Sequence, residues 1–199
     1  MKTEKSKNLR ILVECAIMVA LSTVLAALPI YEAPLGGAVT LFSMVPIILI
    51  SNLRGVKWGL AAGFVHSIIQ LLFGLKNVMY VPSAIGVFLC VVMDYILPFT
   101  LIGLAGAFAG KDKKGVLGVL LGSFAVCLLR YASHVIVGAA VWYELTKMGD
   151  WNEYVHTVGT WTYSLVYNAQ FMVPETVLTL IAAPVVMTVI GIVNKKRAG

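Results

Sequence analysis

Between residues 130 and 168 the chain places imidazole, aromatic and amide side chains within otherwise apolar sequence. The segments are RYASHVIVGAAVW, residues 130–142, and YSLVYN, residues 163–168. Polar groups at membrane depth are costly, so they usually face the interior of a helix bundle or a solvated cavity. At 100° per residue, Tyr131, Gly138 and Trp142 fall on one face of a helix, and His134 lies about 60° away. We expect this face to form one wall of a ligand pocket.

A carboxylate lies near the middle of another apolar run, where Asp94 is preceded by FLCVVM and followed by YILPFTL. An unpaired carboxylate at this depth would either be protonated or find a cation. Three partners satisfy this requirement: Arg130, a proton or a cationic ligand. Tyr95, the next residue, points about 100° away and either lines the same cavity or packs in the core.

Four further polar residues, His134, Trp142, Glu175 and His66, are candidates for the pocket or for contacts between helices. His134 follows Arg130 by one helical turn, so neither residue is expected to face lipid, and a neutral imidazole can both hydrogen bond and stack on a ring. Trp142 is either a pocket residue or an interfacial one. Glu175 either interacts with the helix dipole or reaches the pocket. For His66, a hydrogen bond between helices is the simpler explanation.

Membrane-spanning helices have to position these side chains. Of the 199 residues, 60% are hydrophobic and only 12% are charged, which is outside the composition of soluble domains. Apolar runs occupy Arg10–Pro29, Val39–Leu53, Val56–Phe73, Tyr80–Ala109, Gly115–Leu145 and Gln170–Val193. The second and third runs are near the lower limit for one crossing, which takes about 20 residues, and form either a re-entrant pair or two short spans.

We favour two short spans for these runs. The sequence then predicts an all-α polytopic membrane protein with six transmembrane helices in a single bundle. Residues 1–199 would form one membrane-embedded domain.

Basic residues are distributed unequally between the two ends of the predicted helices. Lys76 and Lys147 fall on one side. The other side holds Lys2, Lys5, Lys7, Arg10, Arg54, Lys57, Lys111, Lys113, Lys114, Lys195, Lys196 and Arg197. Because cytoplasmic loops are enriched in Lys and Arg, both termini are predicted to be cytoplasmic. The basic loops would contact anionic lipid head groups rather than nucleic acid.

No sequence motif indicates an enzyme, a metal site or a bound cofactor. Cys15, Cys90 and Cys127 each lie in an apolar run and are expected to be buried, inert thiols. The segment GAFAGKDK, residues 106–113, departs from the phosphate-binding loop pattern GxxxxGK[ST] and places Asp112 where a hydroxyl residue would hold magnesium. The chain is therefore not expected to hydrolyse ATP itself.

Several segments together resemble a known family. RYASHVIVGAAVW with YSLVYN, MVPIILISNLRGVKWGLAAGF and DYILPFTLIGLAG are similar to the thiamine-specific S-component family (ThiT or YuaJ) of energy-coupling factor (ECF) transporters. The similarity extends from the first helix to Asn168. It implies a six-helix protein that captures thiamine from outside and docks on a shared module, consisting of a transmembrane coupling subunit and two ATPase subunits.

The resemblance also implies roles for individual residues. The implied thiamine-binding residues are Tyr80, Asp94, Tyr95, His134, Trp142, Tyr163 and Asn168. Ala16 and Ala20 match the AxxxA docking stripe of the family, and small residues at this spacing allow close approach of another helix. This chain has Asp94 where the family has Glu, and the first outer loop, YEAPLGG, has Tyr31 as its aromatic residue instead of a Trp.

Thiamine is a plausible ligand for such a pocket on physical grounds as well. Its thiazolium charge suits aromatic faces, and its aminopyrimidine suits a carboxylate and an amide. Its phosphate esters and pyrimidine precursors stay open as alternative ligands. The alternative function is a proton-coupled secondary carrier in which Asp94 and His134 form a proton relay. An S-component for another small vitamin is a further alternative.

Overall fold

The computed structural model describes residues 2–34, 36–108 and 115–198, so Lys111, Lys113 and Lys114 of the predicted inner loop lie outside the described residues. Two short strands accompany the helices: β1 (Pro29–Glu32) and β2 (Ala38–Thr40). The α-helices are α1 (Lys2–Ala26), α2 (Val45–Arg54), α3 (Val56–Val78), α4 (Ala84–Cys90), α5 (Leu97–Leu101), α6 (Val116–Val137), α7 (Tyr143–Gly149), α8 (Thr160–Ile181) and α9 (Ala183–Ala198).

Several of these helices are continuous with one another. A π-helical turn, Val91–Ile96, joins α4 to α5, and a 3-10 turn, Ile102–Ala107, extends α5. A second π-helical turn, Gly138–Trp142, joins α6 to α7. A separate 3-10 turn at Glu153–His156 precedes α8.

Five helical segments are long and apolar enough to cross a bilayer: Ser6–Ala26, Val56–Val78, Ala84–Ala107, Val116–Gly149 and Thr160–Lys196. We refer to Ala84–Ala107 as the Asp94 helix and to Val116–Gly149 as the His134 helix. With α2 they form a bundle of six membrane helices, and the predicted all-α membrane fold is confirmed.

The second helix is much shorter than its apolar run. Val39 and Thr40 belong to β2, and α2 begins only at Val45, with Pro46 in its first turn. Ten residues rise about 15 Å, which is half of the hydrocarbon thickness of a bilayer. Most of α2 is buried, so neighbouring helices surround it. Gly55 then reverses the chain into α3 at φ 94°, a conformation that favours glycine.

The predicted first outer loop folds into a hairpin. β1 and β2 pair antiparallel, with Glu32 opposite Ala38. Gly37 adopts φ 89°, and a Cβ on it would lie 2.4 Å from the ring of Phe171 on α8. The hairpin therefore needs glycine at this position both for its turn and for its close contact with α8.

α2, α3 and the Asp94 helix pack with their backbones close together. A Cβ on Gly103 would lie 2.3 Å from backbone atoms of Gly59 and Leu60, so α3 and the Asp94 helix touch here. The Ser51 hydroxyl donates to the Gly103 carbonyl at 2.6 Å and accepts from the Gly106 amide at 2.9 Å. Small residues with interhelical hydrogen bonds are a common basis of helix packing in membranes.

Glu14 and His66 connect α1 to the rest of the bundle. Glu14 accepts hydrogen bonds from Arg54 and, at 3.3 Å, from Arg10. The first half of α1 and the turn between α2 and α3 therefore lie at the same end of the bundle. His66 lies 3.3 Å from the Ser22 hydroxyl, which is the predicted hydrogen bond between helices. Cys15, Cys90 and Cys127 are free and buried, as predicted.

The contact at Gly103 predicts the effect of a single added methyl group. Gly103→Ala should destabilise the protein by about 1–3 kcal/mol, because the methyl group forces two backbones apart. Thermal unfolding in detergent would measure the change. Gly191→Ala is the matched control, since a Cβ there has open space around it. Equal stabilities for the two variants would contradict the proposed contact.

Candidate ligand-binding site

A cavity of about 460 Å³ lies within the bundle, between the hairpin, α3, the Asp94 helix, the His134 helix and α8. Its volume is within the range of small-molecule sites. Five charged residues line it: Glu32, Lys76, Asp94, Arg130 and Glu175. Three carboxylates against two basic groups give the lining a formal charge of −1, with His134 neutral.

Asp94 forms hydrogen bonds with two residues of the His134 helix. His134 Nδ1 lies 2.9 Å from Asp94 Oδ1, and the Trp142 indole N–H donates to Oδ2 at 2.7 Å. All three residues line the cavity. Since N–H donors stabilise a carboxylate away from water, these bonds explain how Asp94 is held within an apolar bundle.

The His134 helix presents a stripe of residues at intervals of four: Arg130, His134, Gly138, Trp142 and Thr146 all line the cavity. In a regular α-helix each step of four residues overshoots a turn by about 40°, so such a stripe would drift around the helix. The π-helical turn has more residues per turn and reduces this drift at Trp142.

Tyr131 was predicted to share the pocket face, and that prediction is wrong. The cavity stripe passes through Arg130 instead, and Tyr131 packs beside Val39 and Phe171 and donates its hydroxyl to the Leu165 carbonyl at 2.9 Å. The prediction assumed an unbroken α-helical period from 131 to 142. The π-helical turn interrupts this period only after Val137 and so affects Trp142, whereas Tyr131 is kept out of the cavity by its own packing against α8 and β2.

The π-helical turn at Val91–Ile96 brings consecutive residues into the same cavity. Asp94 and Tyr95 both belong to Val91–Ile96 and both line the cavity. The Tyr95 hydroxyl donates to the Gly74 carbonyl on α3 at 3.2 Å. A Cβ on Gly74 would lie 2.1 Å from that hydroxyl, so the tyrosine needs glycine opposite it. Of the two open interpretations, Tyr95 is therefore a cavity residue.

The start of α8 supplies an aromatic and amide wall. Tyr163 is 2% exposed and stacks on Tyr167, with ring centroids 5.8 Å apart. Asn168 donates its amide nitrogen to the Ser164 carbonyl at 2.8 Å, which leaves its amide oxygen as the group able to accept from a ligand. His134 meets Phe171 edge to face, at 5.7 Å between centroids.

The possible ion pair between Asp94 and Arg130 is not formed. Arg130 instead lies 3.9 Å from Glu175, on α8. Its guanidinium stands 4.4 Å above the Phe99 ring and donates to the Met44 sulfur at 3.1 Å. Both charges of this pair are buried. Asp94 and Arg130 were each placed correctly at membrane depth, but α8 supplies the nearer carboxylate.

Two groups of predicted residues lie outside the cavity. Tyr80 follows the end of α3, is 62% exposed and packs edge to face on Trp151 at 5.8 Å. Ala16 and Ala20 are exposed on the outer face of α1. Of the implied ligand-binding residues, the structure brings together the other six: Asp94, Tyr95, His134, Trp142, Tyr163 and Asn168.

Several cavity residues were not identified from the sequence. Tyr167 and Phe171 are spaced by four residues on α8, and Gln70 and Asn77 line the cavity from α3. Glu175, for which the pocket was one of two interpretations, continues the same stripe of α8. The interval of four was a usable signal for α8. It was missed because Gln170 was taken as the start of the apolar run, whereas α8 begins at Thr160.

Three buried polar atoms of the cavity have no hydrogen-bond partner among residues 2–34, 36–108 and 115–198. They are Arg130 Nε, His134 Nε2 and the Tyr163 hydroxyl. Unpaired polar atoms are costly in an apolar interior, and a bound ligand or water satisfies them. The fold and these unpaired atoms, with the aromatic rings around them, indicate a membrane protein that has an internal site for a small polar ligand.

Comparison with known proteins identifies the family. A sequence profile described as "Thiamine transporter protein (Thia_YuaJ)" matches residues 12–194. The thiamine transporter ThiT of Bacillus subtilis is 34% identical over 188 residues, which cover 89% of this chain and 90% of that protein. The ThiT of Lacticaseibacillus paracasei is 26% identical over 94% of this chain and 90% of that protein. The chain therefore belongs to the thiamine transporter family.

A solved structure agrees in fold. ThiT from Listeria monocytogenes superposes with a TM-score of 0.70 at 23% identity, over 92% of this chain and 96% of that one. The resemblance found in the sequence is confirmed. The curated relatives are named as transporters rather than enzymes, which agrees with the absence of catalytic motifs.

The pairing of Arg130 with Glu175 makes a testable prediction about stability. Arg130→Gln leaves a buried carboxylate without its cation and should cost roughly 3–5 kcal/mol. Adding Glu175→Gln should recover much of that loss, and adding Asp94→Asn should not. Chemical unfolding of the purified variants in detergent would measure both. Recovery through Asp94→Asn would show that the ion pair is assigned to the wrong carboxylate.

Proposed function

We propose that the cavity binds thiamine and that the chain is the substrate-binding S-component of an ECF-type vitamin uptake transporter. The observation that supports this most directly is the Asp94 carboxylate, held between the His134 imidazole and the Trp142 indole in an aromatic cavity. Family membership supplies the substrate, since the relatives are named for thiamine.

The arrangement of charges favours a ligand with one positive charge. Glu175 pairs with Arg130, and Glu32 lies 3.8 Å from Lys76 at the cavity mouth. Asp94 is then the one lining carboxylate without a lysine or arginine partner among the described residues. A thiazolium ring beside Asp94 and Trp142 would gain both charge attraction and a cation–π contact.

The aminopyrimidine has suitable partners on α8 and at His134. The Asn168 amide oxygen can accept from its exocyclic amine, and the Tyr163 hydroxyl and His134 Nε2 have free hydrogen-bonding capacity. These groups orient a ligand without covalent chemistry. Contact between Tyr80 and thiamine stays a prediction. Because Tyr80 is exposed and outside the cavity lining, it would reach the ligand only from the protein surface.

The partners that we propose are an ECF transmembrane coupling subunit and two ATPase subunits. Ala16 and Ala20 support the docking surface because both are exposed on α1 and leave room for another helix. Both termini are proposed to be cytoplasmic. The bond between Glu14 and Arg54 supports this, since it places basic residues of α1 and of the turn between α2 and α3 at one end of the bundle.

Removing the charge of Asp94 should weaken thiamine binding without unfolding the protein. Asp94→Asn loses a charge-assisted interaction and should cost about 1.5–3 kcal/mol of affinity. Asp94→Glu should retain much of the binding, because the acid is restored with one more methylene group. Isothermal titration calorimetry would measure each variant. Wild-type affinity in Asp94→Asn would exclude a ligand-contacting role.

Trp142 should report thiamine binding directly. Titration of the wild type should quench tryptophan fluorescence, and Trp142→Ala should lose most of the quench and about 1–3 kcal/mol of affinity. Trp161→Ala is the matched control, because Trp161 is 61% exposed and lies outside the cavity lining. If Trp161→Ala and Trp142→Ala had equal effects, stacking on Trp142 would be refuted.

The docking surface makes a separate prediction. Ala16→Trp or Ala20→Trp should leave thiamine binding intact but abolish uptake and copurification with the coupling subunit, because a bulky side chain blocks helix approach. Val185→Trp is the control on another exposed apolar face. The protein reconstituted alone should bind thiamine without accumulating it under a pH gradient. Accumulation would instead identify a proton-coupled carrier.

A further inference from the structure

We propose that Glu175 is a positioning residue, whose hydrogen bonds fix the inner end of the hairpin as a wall of the ligand cavity. The inference rests on the proposed function for its effect on thiamine. Its structural part concerns the contact between α8 and the hairpin and can be tested without ligand.

The Glu175 carboxylate is directed at the last residue of β2. Oε2 accepts from the Thr40 backbone amide at 2.6 Å, and Oε1 accepts from the Thr40 hydroxyl at 2.8 Å. The Ser43 hydroxyl lies 3.3 Å from Oε1. Glu175 is 2% exposed, so these bonds form where water does not compete.

The same stripe of α8 holds the rest of the hairpin. The Tyr167 hydroxyl donates to the Gly36 carbonyl at 3.2 Å, and Gly37 lies against the Phe171 ring. Tyr167, Phe171 and Glu175 are spaced by four residues, so one helix face contacts both the turn and the inner end of the hairpin. Gly36, Gly37, Ala38 and Thr40 line the cavity, so displacement of the hairpin would remove one cavity wall.

The ion pair with Arg130 is a second role of the Glu175 side chain, and it depends on charge rather than on hydrogen bonds. At 3.9 Å from Arg130, Glu175 neutralises a buried cation but forms no hydrogen bond with it. Neutralisation requires a negative charge. Positioning requires hydrogen-bonding atoms at the end of a side chain as long as that of glutamate. Glutamine also offers these, because its oxygen can accept from the Thr40 amide and its nitrogen can donate to the Thr40 hydroxyl.

Two substitutions at position 175 therefore separate the roles. Glu175→Gln and Glu175→Met both remove the charge, but only the glutamine keeps hydrogen bonds to Thr40. Hydrogen exchange of residues 29–44 without ligand should be close to wild type in Glu175→Gln, and at least about tenfold faster in Glu175→Met. Thiamine affinity should follow the same order, with Glu175→Met weaker by about ten- to hundredfold.

The matched control is Thr179→Val, one turn along α8. Thr179 is also buried and polar, but its hydroxyl bonds the Glu175 carbonyl of the same helix and does not contact the hairpin. Hairpin exchange in this variant should equal that of wild type. If Glu175→Met is too unstable to purify, Arg130→Met with Glu175→Met removes both charges and should still show fast hairpin exchange.

Two results would overturn the proposal. One is equal hairpin exchange in Glu175→Gln and Glu175→Met, which would reduce Glu175 to a neutralising charge. The other is wild-type exchange in Glu175→Met or in the double variant. If the wild-type protein binds no thiamine, the proposed function fails, whereas the exchange measurements still decide whether Glu175 positions the hairpin.

Discussion

A carboxylate inside a membrane bundle needs hydrogen-bond donors that come from the protein, and Asp94 obtains two from a single neighbouring helix. His134 and Trp142 are eight residues apart, so a regular α-helix would direct them about 80° apart. The π-helical turn at Gly138–Trp142 brings both side chains to the same carboxylate. The same turn keeps the stripe of residues at intervals of four on the cavity. The other π-helical turn, Val91–Ile96, brings Tyr95 into the cavity beside Asp94 and against Gly74.

The second constraint is the arrangement of the other charges. Arg130 lies one turn from His134 on the same helix, and a direct pair with Asp94 would neutralise the carboxylate that a cationic ligand needs. Arg130 instead pairs with Glu175 from α8. Because the two acids lie on different helices, Glu175 neutralises Arg130 while Asp94 is bonded to the uncharged donors His134 and Trp142. This separation makes the site suitable for a ligand with one positive charge.

Composition and hydropathy were sufficient to predict the membrane bundle. Polar residues noted in or beside the apolar runs included five that line the cavity: Asp94, His134, Trp142, Tyr163 and Asn168. Three features could not be predicted. The hairpin consists of strands of four and three residues, too short for a periodic pattern. The partner of Arg130 depends on how α8 packs, which spacing within one helix does not reveal. The first turns of α8 are polar because Tyr163, Ser164 and Asn168 face the cavity, so hydropathy placed the start of that helix ten residues late.

Helix α1 keeps the proposed docking surface apart from the ligand cavity. Ile11, Cys15, Val19 and Ser22 form its buried face, whereas Ala16 and Ala20 lie on the exposed face. Only its last turn reaches the ligand site, through Ala26, with Ala27 beyond it. Since a side chain on the exposed face touches neither the core nor the cavity, the requirements of partner docking and ligand binding constrain different residues of the same helix. With the proposed docking surface at Ala16 and Ala20, substitutions in the cavity would change the ligand without changing the surface offered to the partner.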